Sequence, residues 1–366
     1  MTTRFRATWV VPGLVTYGIV RLITLIFIVI RAHVDHLSLA AQLGRWDGRW
    51  FMLAAEGLPR HLPVASGHVA QNATAFFPLF SLGLRLVHLG LHLPLVLVGT
   101  TLTTLSGAVA LGCIALLAFE VKGEEVARRT GMLVALAPGA FVFSLIYAEG
   151  FFLSFSALTL LFLRRRRWGV ATLLACLATA TSPLGLCLSA PAARTAWRQW
   201  RQGTAPTALG VLLAPPTTFV SYMLYLWAHT GQFQAWFLTE RQGWHSYFTV
   251  RFPAHVLWTF AANPVAPTLT QHLLVWGTVT GLVLSIVLLR SGLPEELLVY
   301  GLASTLLSAC SSPIGLRPRF LLCAYPLLIG LSATLPLRWW RPTWVLSGVL
   351  LALMTVEEFI SSAIFP

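Results

Sequence analysis

Charge is what this chain has least of. Only 10% of its 366 residues are Asp, Glu, Lys or Arg, against about 25% in a soluble domain. A surface so poor in charge excludes a water-soluble globular protein. Asp35 and Asp47 are the only aspartates and Lys122 the only lysine, so arginine carries the net charge of +13. These bases fall in short clusters between apolar runs. No basic face with aromatic platforms accompanies them, so nucleic acid is not an expected partner. The five cysteines (Cys113, Cys176, Cys187, Cys310 and Cys323) lie in apolar stretches without a close CxxC pair, which argues against a disulfide framework or a zinc site. GxSxG, P-loop and HExxH motifs are missing, and the histidines are scattered. A DxD pair is missing too, because position 49 is Arg, which disfavours a sugar-nucleotide enzyme built on a metal-bridged diphosphate. No internal repeat, soluble domain or low-complexity tail is evident.

Apolar sequence is what the chain has in abundance: 57% of residues are hydrophobic and the mean hydropathy is +0.76. Several runs reach the roughly 20 residues that cross a bilayer as a helix. The alternation of a membrane barrel strand is missing, so the expected fold is an all-α polytopic membrane bundle. Eleven apolar segments are expected to cross, two of them short: about 9–30, 93–119, 131–147, 150–163, 168–180, 184–192, 206–228, 270–289, 296–311, 320–337 and 343–362. The first run is longer than a signal-peptide core and is expected to remain as an anchor.

Charge bias orients this bundle. Arg4 and Arg6, the 122–129 loop, "RRRR" (Arg164–Arg167), Arg194–Arg201 and "RWWRP" are assigned to the cytoplasm. "FFPLFSLGLRLVHLG" (Phe76–Gly90) is short and carries Arg85 and His88. If it crossed alone, the basic 122–129 loop would fall outside, so it is expected as an interfacial helix. Residues 1–366 then form one domain. Its two long extracytoplasmic loops are about 32–92 and about 229–263.

Charges near a bilayer are costly, so those in the outer loops need a reason. They include Asp47, Glu56, Glu149, Glu240, Arg241, Arg317 and Arg319, with Asn72 and His245 beside them. "DGRWFMLAAEG" reads as a short amphipathic helix, with Trp50, Phe51, Ala54 and Leu58 on its buried side and Gly57 at C′. Asp47 fits equally an N-cap and a working carboxylate. Glu149, at the hairpin tip "YAEG" beside Tyr147, is either a turn residue or an acid at a cavity rim. Arg317 and Arg319 either snorkel or bind an anion, as guanidinium keeps its charge in low dielectric and pairs bidentately with phosphate. "NAT" (Asn72–Thr74) matches a glycosylation sequon.

Four segments, in order across most of the chain, carry a family resemblance: "RWDGRWFMLAAEG", "NATAFFPLFSL", "LAPGAFVFSLIYAEGFF" and "RPRFLLCAYPLLIGLS". Together they resemble the GPI mannosyltransferase II (PIG-V-like) family of GT-C glycosyltransferases, in its bacterial branch. The matching patterns are WDG-x-x-F-x-x-I-A-x-x-G, AFFPLYP, P-x-x-x-x-x-x-x-YSE and RY-x-x-x-x-FPL. The resemblance implies a GT-C bundle in a bacterial plasma membrane, with its active site on the extracytoplasmic face. It implies an inverting transferase that moves mannose from a polyprenyl-phosphate donor to a glycan, glycolipid or protein acceptor. Asp47 would then be the catalytic base, and Arg319, Arg317 and Arg241 would hold the donor phosphate. Glu56, Tyr147 and Glu149 would line the sugar or acceptor site, where Trp46 and Trp50 would either stack on the sugar or anchor the loop at the interface. The scheme requires no metal or cofactor, and membrane lipids are partners. Leu58, Ser81 and Ser182 depart from the family pattern, which usually has Tyr, Pro and Arg there. Two other classes fit the composition. One is a lipid or sugar-lipid transporter, for which Arg21 inside the first span is the main midplane charge. The other is a non-catalytic GT-C-like subunit.

Overall fold

The computed structural model describes residues 7–262 and 268–360. Arg4, Arg6, the end of the second long loop at Asn263 and the last residues of the final expected span lie outside the described residues. The chain is 78% helical. The strands among the described residues are two antiparallel pairings of two residues each: Val64–Ala65 with His68–Val69, and Tyr247–Phe248 with Ser311–Ser312.

A long helix, α1 (Val11–Val34), is followed by the short α2 (Leu39–Leu43) and α3 (Asp47–Glu56), then by α4 (Pro78–Leu91). The next helices, α5 (Leu95–Lys122) and α6 (Glu124–Leu136), meet at Gly123. After α6 the chain tightens into a 3-10 turn, Pro138–Ser144, which bends 67° away from it. Then come α7 (Glu149–Arg164), α8 (Trp168–Thr181), a second 3-10 segment (Pro183–Leu188), α9 (Ser189–Arg201) and α10 (Leu209–Thr230). The single-turn α11 (Ala235–Leu238) leads to α12 (Phe252–Ala262), α13 (Leu269–Arg290) and α14 (Glu295–Ala309). The chain closes with α15 (Pro318–Cys323), α16 (Pro326–Thr334) and α17 (Leu337–Ile360).

Five helices (α1, α5, α10, α13 and α17) are long and apolar enough to cross a membrane, or six if α6 and its bent continuation count as one span. The other expected crossings are shorter or broken helices. The runs at 131–147 and 320–337 and the piece at 184–192 are each broken next to a proline, at Pro138, Pro326 and Pro183. Proline lacks the amide that the preceding turn needs and disfavours helical backbone just before it. Ala137 and Ser182 are accordingly extended, with ψ of 139° and 142°. The short apolar stretch at 76–90 forms α4, which packs on α3: Ser81 Oγ donates to the Phe51 carbonyl at 3.0 Å. Arg85 Nη1 donates to the last carbonyls of α3, at Ala55 and Glu56, where a cation suits the negative end of the helix.

The burial pattern of α1 inverts that of a soluble helix. Gly13, Tyr17, Arg21, Thr24, Ile28 and Ala32 recur every three or four residues on its inner face, while Leu22, Ile23, Ile26 and Ile30 are exposed. In lipid, large apolar side chains gain nothing by turning inward, and small or polar residues make the interhelical contacts. Arg21 completes this face. Its Nη1 donates to the Ala140 carbonyl at 2.6 Å and to Ser144 Oγ at 2.7 Å. The helix break at Ala137–Pro138 leaves backbone groups without helical partners, and Arg21 supplies a donor. Tyr17, whose hydroxyl donates to the Thr104 carbonyl at 2.8 Å, lies against the guanidinium and links α1 to α5.

The 3-10 turn also presses directly on the start of α15. A Cβ at Gly139 would lie 2.2 Å from the Pro318 carbonyl oxygen and 2.7 Å from Arg319 Cα. Both are backbone atoms, so neither can rotate away. Gly139→Ala is expected to destabilise the protein by about 1–3 kcal/mol through overpacking and to shift α15. A thermal midpoint in detergent equal to that of the wild type would show that this contact is not constraining.

Candidate active site

Three charged side chains from distant segments converge. Arg319, in the first turn of α15, donates from Nη1 to Asp47 Oδ2 at 2.6 Å, and the same nitrogen lies 3.7 Å from Glu149 Oε1. Asp47 opens α3 and Glu149 opens α7, so both carboxylates sit at helix N-termini, where the backbone dipole favours negative charge. Arg319 is packed from the sides as well. Its guanidinium carbon lies 4.7 Å from the Phe320 ring centroid and 5.5 Å from that of Tyr147. Arg319 Nε is buried and has no hydrogen-bond partner among the described residues.

Local backbone delivers the two acids. Arg45, Trp46, Asp47 and Gly48 form a tight turn in which the Gly48 amide donates to the Arg45 carbonyl at 3.0 Å. Trp46 occupies its second position with φ 53° and ψ −126°, the geometry of a type II′ turn, which ordinarily demands glycine. Such strain costs of order 1–3 kcal/mol, and here it aims Asp47. The capping alternative for Asp47 is thereby corrected: Trp46 holds the N-cap position without a side-chain cap bond, and the Asp47 carboxylate reaches across to Arg319 instead. Glu149 is fixed by its neighbour Tyr147, whose carbonyl and amide both bond to Thr103 Oγ1 at 3.1 Å, pinning the turn to α5.

The cluster lies in a cavity of about 560 Å³. Asp47, Glu149, Arg319, Glu240 and Arg241 supply its charge, while Phe219, Trp236, Phe237, Leu307, Ile314 and Phe320 supply apolar wall. Buried polar contacts join the first and second long loops around it. Asn72 Nδ2 donates to the Ala70 carbonyl and to Thr239 Oγ1, and Asn72 Oδ1 accepts from the Thr74 amide. Asn72, the first residue of the NAT sequon, is therefore buried and engaged through both side-chain atoms. The two-residue pairing of Tyr247–Phe248 with Ser311–Ser312 ties the second loop to the segment leading into α15.

Burial and mutual charge set the protonation of these groups. Burial pushes the Glu149 carboxyl above its ordinary value, Arg319 opposes this, and Asp47 reinforces it. For Arg319 burial disfavours the charge, but Asp47 and Glu149 outweigh it, and its pKa is raised. Arg317 is lowered to about 10 by burial and by Arg319, so it too stays cationic at neutral pH. The Glu240 side chain is partly exposed, yet its carboxyl is enclosed. That enclosure raises it to about 7, with a Ser246 hydrogen bond acting against the rise and Asp47 adding to it.

Of the residues singled out in the sequence, Asp47, Glu149, Arg241 and Arg319 line the cavity. Tyr147 is fully buried behind Arg319, and Arg317 sits at the N-cap of α15; neither lines the cavity. Trp46 forms the strained turn. Trp50 packs edge-on against Trp244 at 5.4 Å, outside the lining. Glu56 is exposed at the far end of α3, about 14 Å along the helix from Asp47, and does not join the cluster. Two acids carry more weight in the structure than their sequence suggested. Glu240 was one of several loop charges. Glu358 sits in the last turn of an apolar helix, fully buried, with Arg45 and Trp46 facing it. Ser182 lines the cavity, whereas Ser81 lies behind it and donates to the Phe51 carbonyl. Among the described residues no three His, Cys, Asp or Glu side chains are grouped to hold a metal ion. No model of a known protein family matches the chain, and no curated protein is significantly similar to it.

The enclosed Glu240 carboxyl has a measurable consequence. Folding raises its pKa from the ordinary 4.5 to about 7, so the native state binds the extra proton between those values. Stability then falls as pH rises from 4.5 through 7. Glu240→Gln should remove this component and gain on the wild type toward neutral pH in thermal midpoints measured across that range. Parallel curves would show that the carboxyl is solvated.

Proposed function

We propose that this protein is an inverting GT-C-type glycosyltransferase that moves mannose from a polyprenyl-phosphate donor to an extracytoplasmic hydroxyl acceptor. On this reading the short and broken helices bring the number of crossing segments to about eleven. The N-terminus is cytoplasmic and the cavity opens on the other side of a bacterial plasma membrane. One observation carries the proposal: a largely enclosed Asp–Arg–Glu cluster at the head of a largely apolar cavity. An apolar wall beside a fixed cation suits a substrate that is lipid at one end and anionic at the other.

The chemistry follows from the arrangement. Asp47 Oδ2 is engaged by Arg319, which orients the carboxylate, and its second oxygen accepts no hydrogen bond among the described residues. That oxygen accepts the proton of the acceptor hydroxyl as general base. The hydroxyl oxygen bonds to the anomeric carbon from the face opposite the leaving group. The bond from that carbon to the phosphate oxygen breaks, and its electron pair leaves with the lipid phosphate. Arg319, supported by Arg241 from the cavity wall and by the field of Arg317, stabilises the charge that develops there. Glu149, whose carboxyl is pushed above its ordinary value by burial, lies beside Arg319 and in reach of the sugar or acceptor. Glycan, glycolipid and protein acceptors all present the required hydroxyl. Because Ser182 replaces the arginine common in the family, this cavity has one cation fewer, a difference that bears on acceptor choice. The transporter alternative drew on Arg21, whose guanidinium is engaged with Ala140 and Ser144.

Full-length protein in proteoliposomes should transfer mannose from polyprenyl-phosphate mannose. Asp47→Asn keeps an acceptor for Arg319 and should fold, yet lose about 10²–10⁴-fold in turnover. Arg319→Lys, which lacks the planar fork, should lose about 10²–10³-fold. Wild-type turnover in Asp47→Asn would remove Asp47 as the base. Absence of transfer by the wild type would leave the non-catalytic reading in its place.

A further inference from the structure

A second cavity lies at the other end of α7 from Glu149. The helix has 16 residues, so the two ends are about 24 Å apart. This cavity has a volume of about 550 Å³ and a different chemistry. Arg164, Arg166, Arg198, Gln202 and Trp168 line it, with Glu296 as its one acid.

The charges here do not cancel. Arg164 Nη1 lies 3.3 Å from Glu296 Oε2, and Arg198 Nη1 lies 3.6 Å from Glu296 Oε1. Arg198 and Arg194 also pair with Glu295, just outside the cavity. Three arginines thus share two glutamates, and Arg166 is exposed with no acidic partner among the described residues. Arg164 Nε is buried and has no hydrogen-bond partner among the described residues. The site therefore holds surplus positive charge and an unused, desolvated donor.

Arg166 is placed there against its backbone preference. The end of α7 closes with the Arg167 amide donating to the Phe162 carbonyl (2.9 Å) and the Arg166 amide to Leu163 (3.1 Å). This is the Schellman arrangement, whose left-handed position is normally glycine. Here it is Arg166, with φ 55°. A strained non-glycine residue that presents its side chain to a cavity is an observation from which function can be sought. The surroundings indicate which ligand. On α9, beside the cavity, Trp197 and Trp200 are 47% and 63% exposed, and tryptophans so placed mark the headgroup level of a bilayer. Basic pockets between helices at that level suit phosphate-bearing headgroups.

We infer that this cavity is a binding site for a phosphate group, presented by an anionic lipid headgroup or as free phosphate, with Arg166, Arg164 and Arg198 as its donors. The inference is independent of glycosyl transfer. The full chain, purified in detergent, is to be titrated with phosphatidylglycerol and with phosphatidylcholine of the same acyl chains. Binding is read by native mass spectrometry, with inorganic phosphate added as competitor. Arg166→Gly removes the charge and relieves the left-handed strain, so it should fold at least as well as the wild type. It should weaken phosphatidylglycerol binding about five- to tenfold without lowering the thermal midpoint. Arg338→Gln, an exposed charge removed elsewhere, should leave binding unchanged. Displacement of the lipid by inorganic phosphate would assign the site to the phosphate group itself, and resistance to displacement would assign it to the lipid headgroup. Equal binding of the two lipids with no binding of inorganic phosphate, or an Arg166→Gly variant that binds like the wild type, overturns the inference.

Discussion

Burying one guanidinium is the constraint around which this molecule is organised. Arg319 lies in a place where an isolated charge would cost several kcal/mol. Asp47 compensates at 2.6 Å, and Glu149 adds its field from 3.7 Å. The three residues belong to α15, α3 and α7, so their meeting requires three helices to begin at one point. Each start is secured separately. The strained turn at Trp46 aims Asp47, Thr103 clamps the turn before Glu149, and Gly139 lets α15 lie against the 3-10 turn that Arg21 holds. A buried ion cluster is weak evidence for stability, since apolar side chains of similar volume often do as well. Its weight here is chemical: it orients a carboxylate beside a cation, at the edge of an apolar space.

Broken helices make that space. Irregular backbone at membrane depth is tolerated where it is buried in protein or lines a cavity. The Pro138–Ser144 turn is buried almost throughout, and its free polar groups meet Arg21. The break at Ser182–Pro183 faces the cavity directly. Of the prolines that break helices, Pro183 thus contributes directly to the cavity wall.

The two ends of α7 show how one helix serves two chemistries. Its positive N-terminal end carries Glu149 toward a cation, and its negative C-terminal end carries Arg164 to Arg167, each favoured by the backbone dipole. The first end is enclosed by apolar side chains and two long loops. The second is polar, flanked by exposed tryptophans, and richer in arginine than in acid.

Much of this could be read in the chain itself. Low charge and long apolar runs identify a helical membrane protein, because lipid permits few other backbones. Proline, glycine and the scarcity of aspartate drew attention to "RWDGRW" and "YAEG". What hydropathy did not show was the break inside 131–147, since a window average does not register a single proline that bends a helix by 67° without changing its polarity. Trp46 was legible as an interfacial or stacking aromatic, not as a turn residue, because nothing local announces a tryptophan in a glycine conformation. Glu358 was hidden for the opposite reason: in the sequence it is one more charge at the end of a span.

The two aspartates mark the division between the levels. Asp35 pairs with Arg31 one turn away, a contact that spacing alone determines. Asp47 pairs with Arg319, 272 residues distant. Composition and periodicity determined that the chain would be helical and would avoid water, because those properties are sums over local residues. Only the tertiary structure decided that Asp47 would face a cation and leave its helix uncapped, because that choice depends on where a third helix begins.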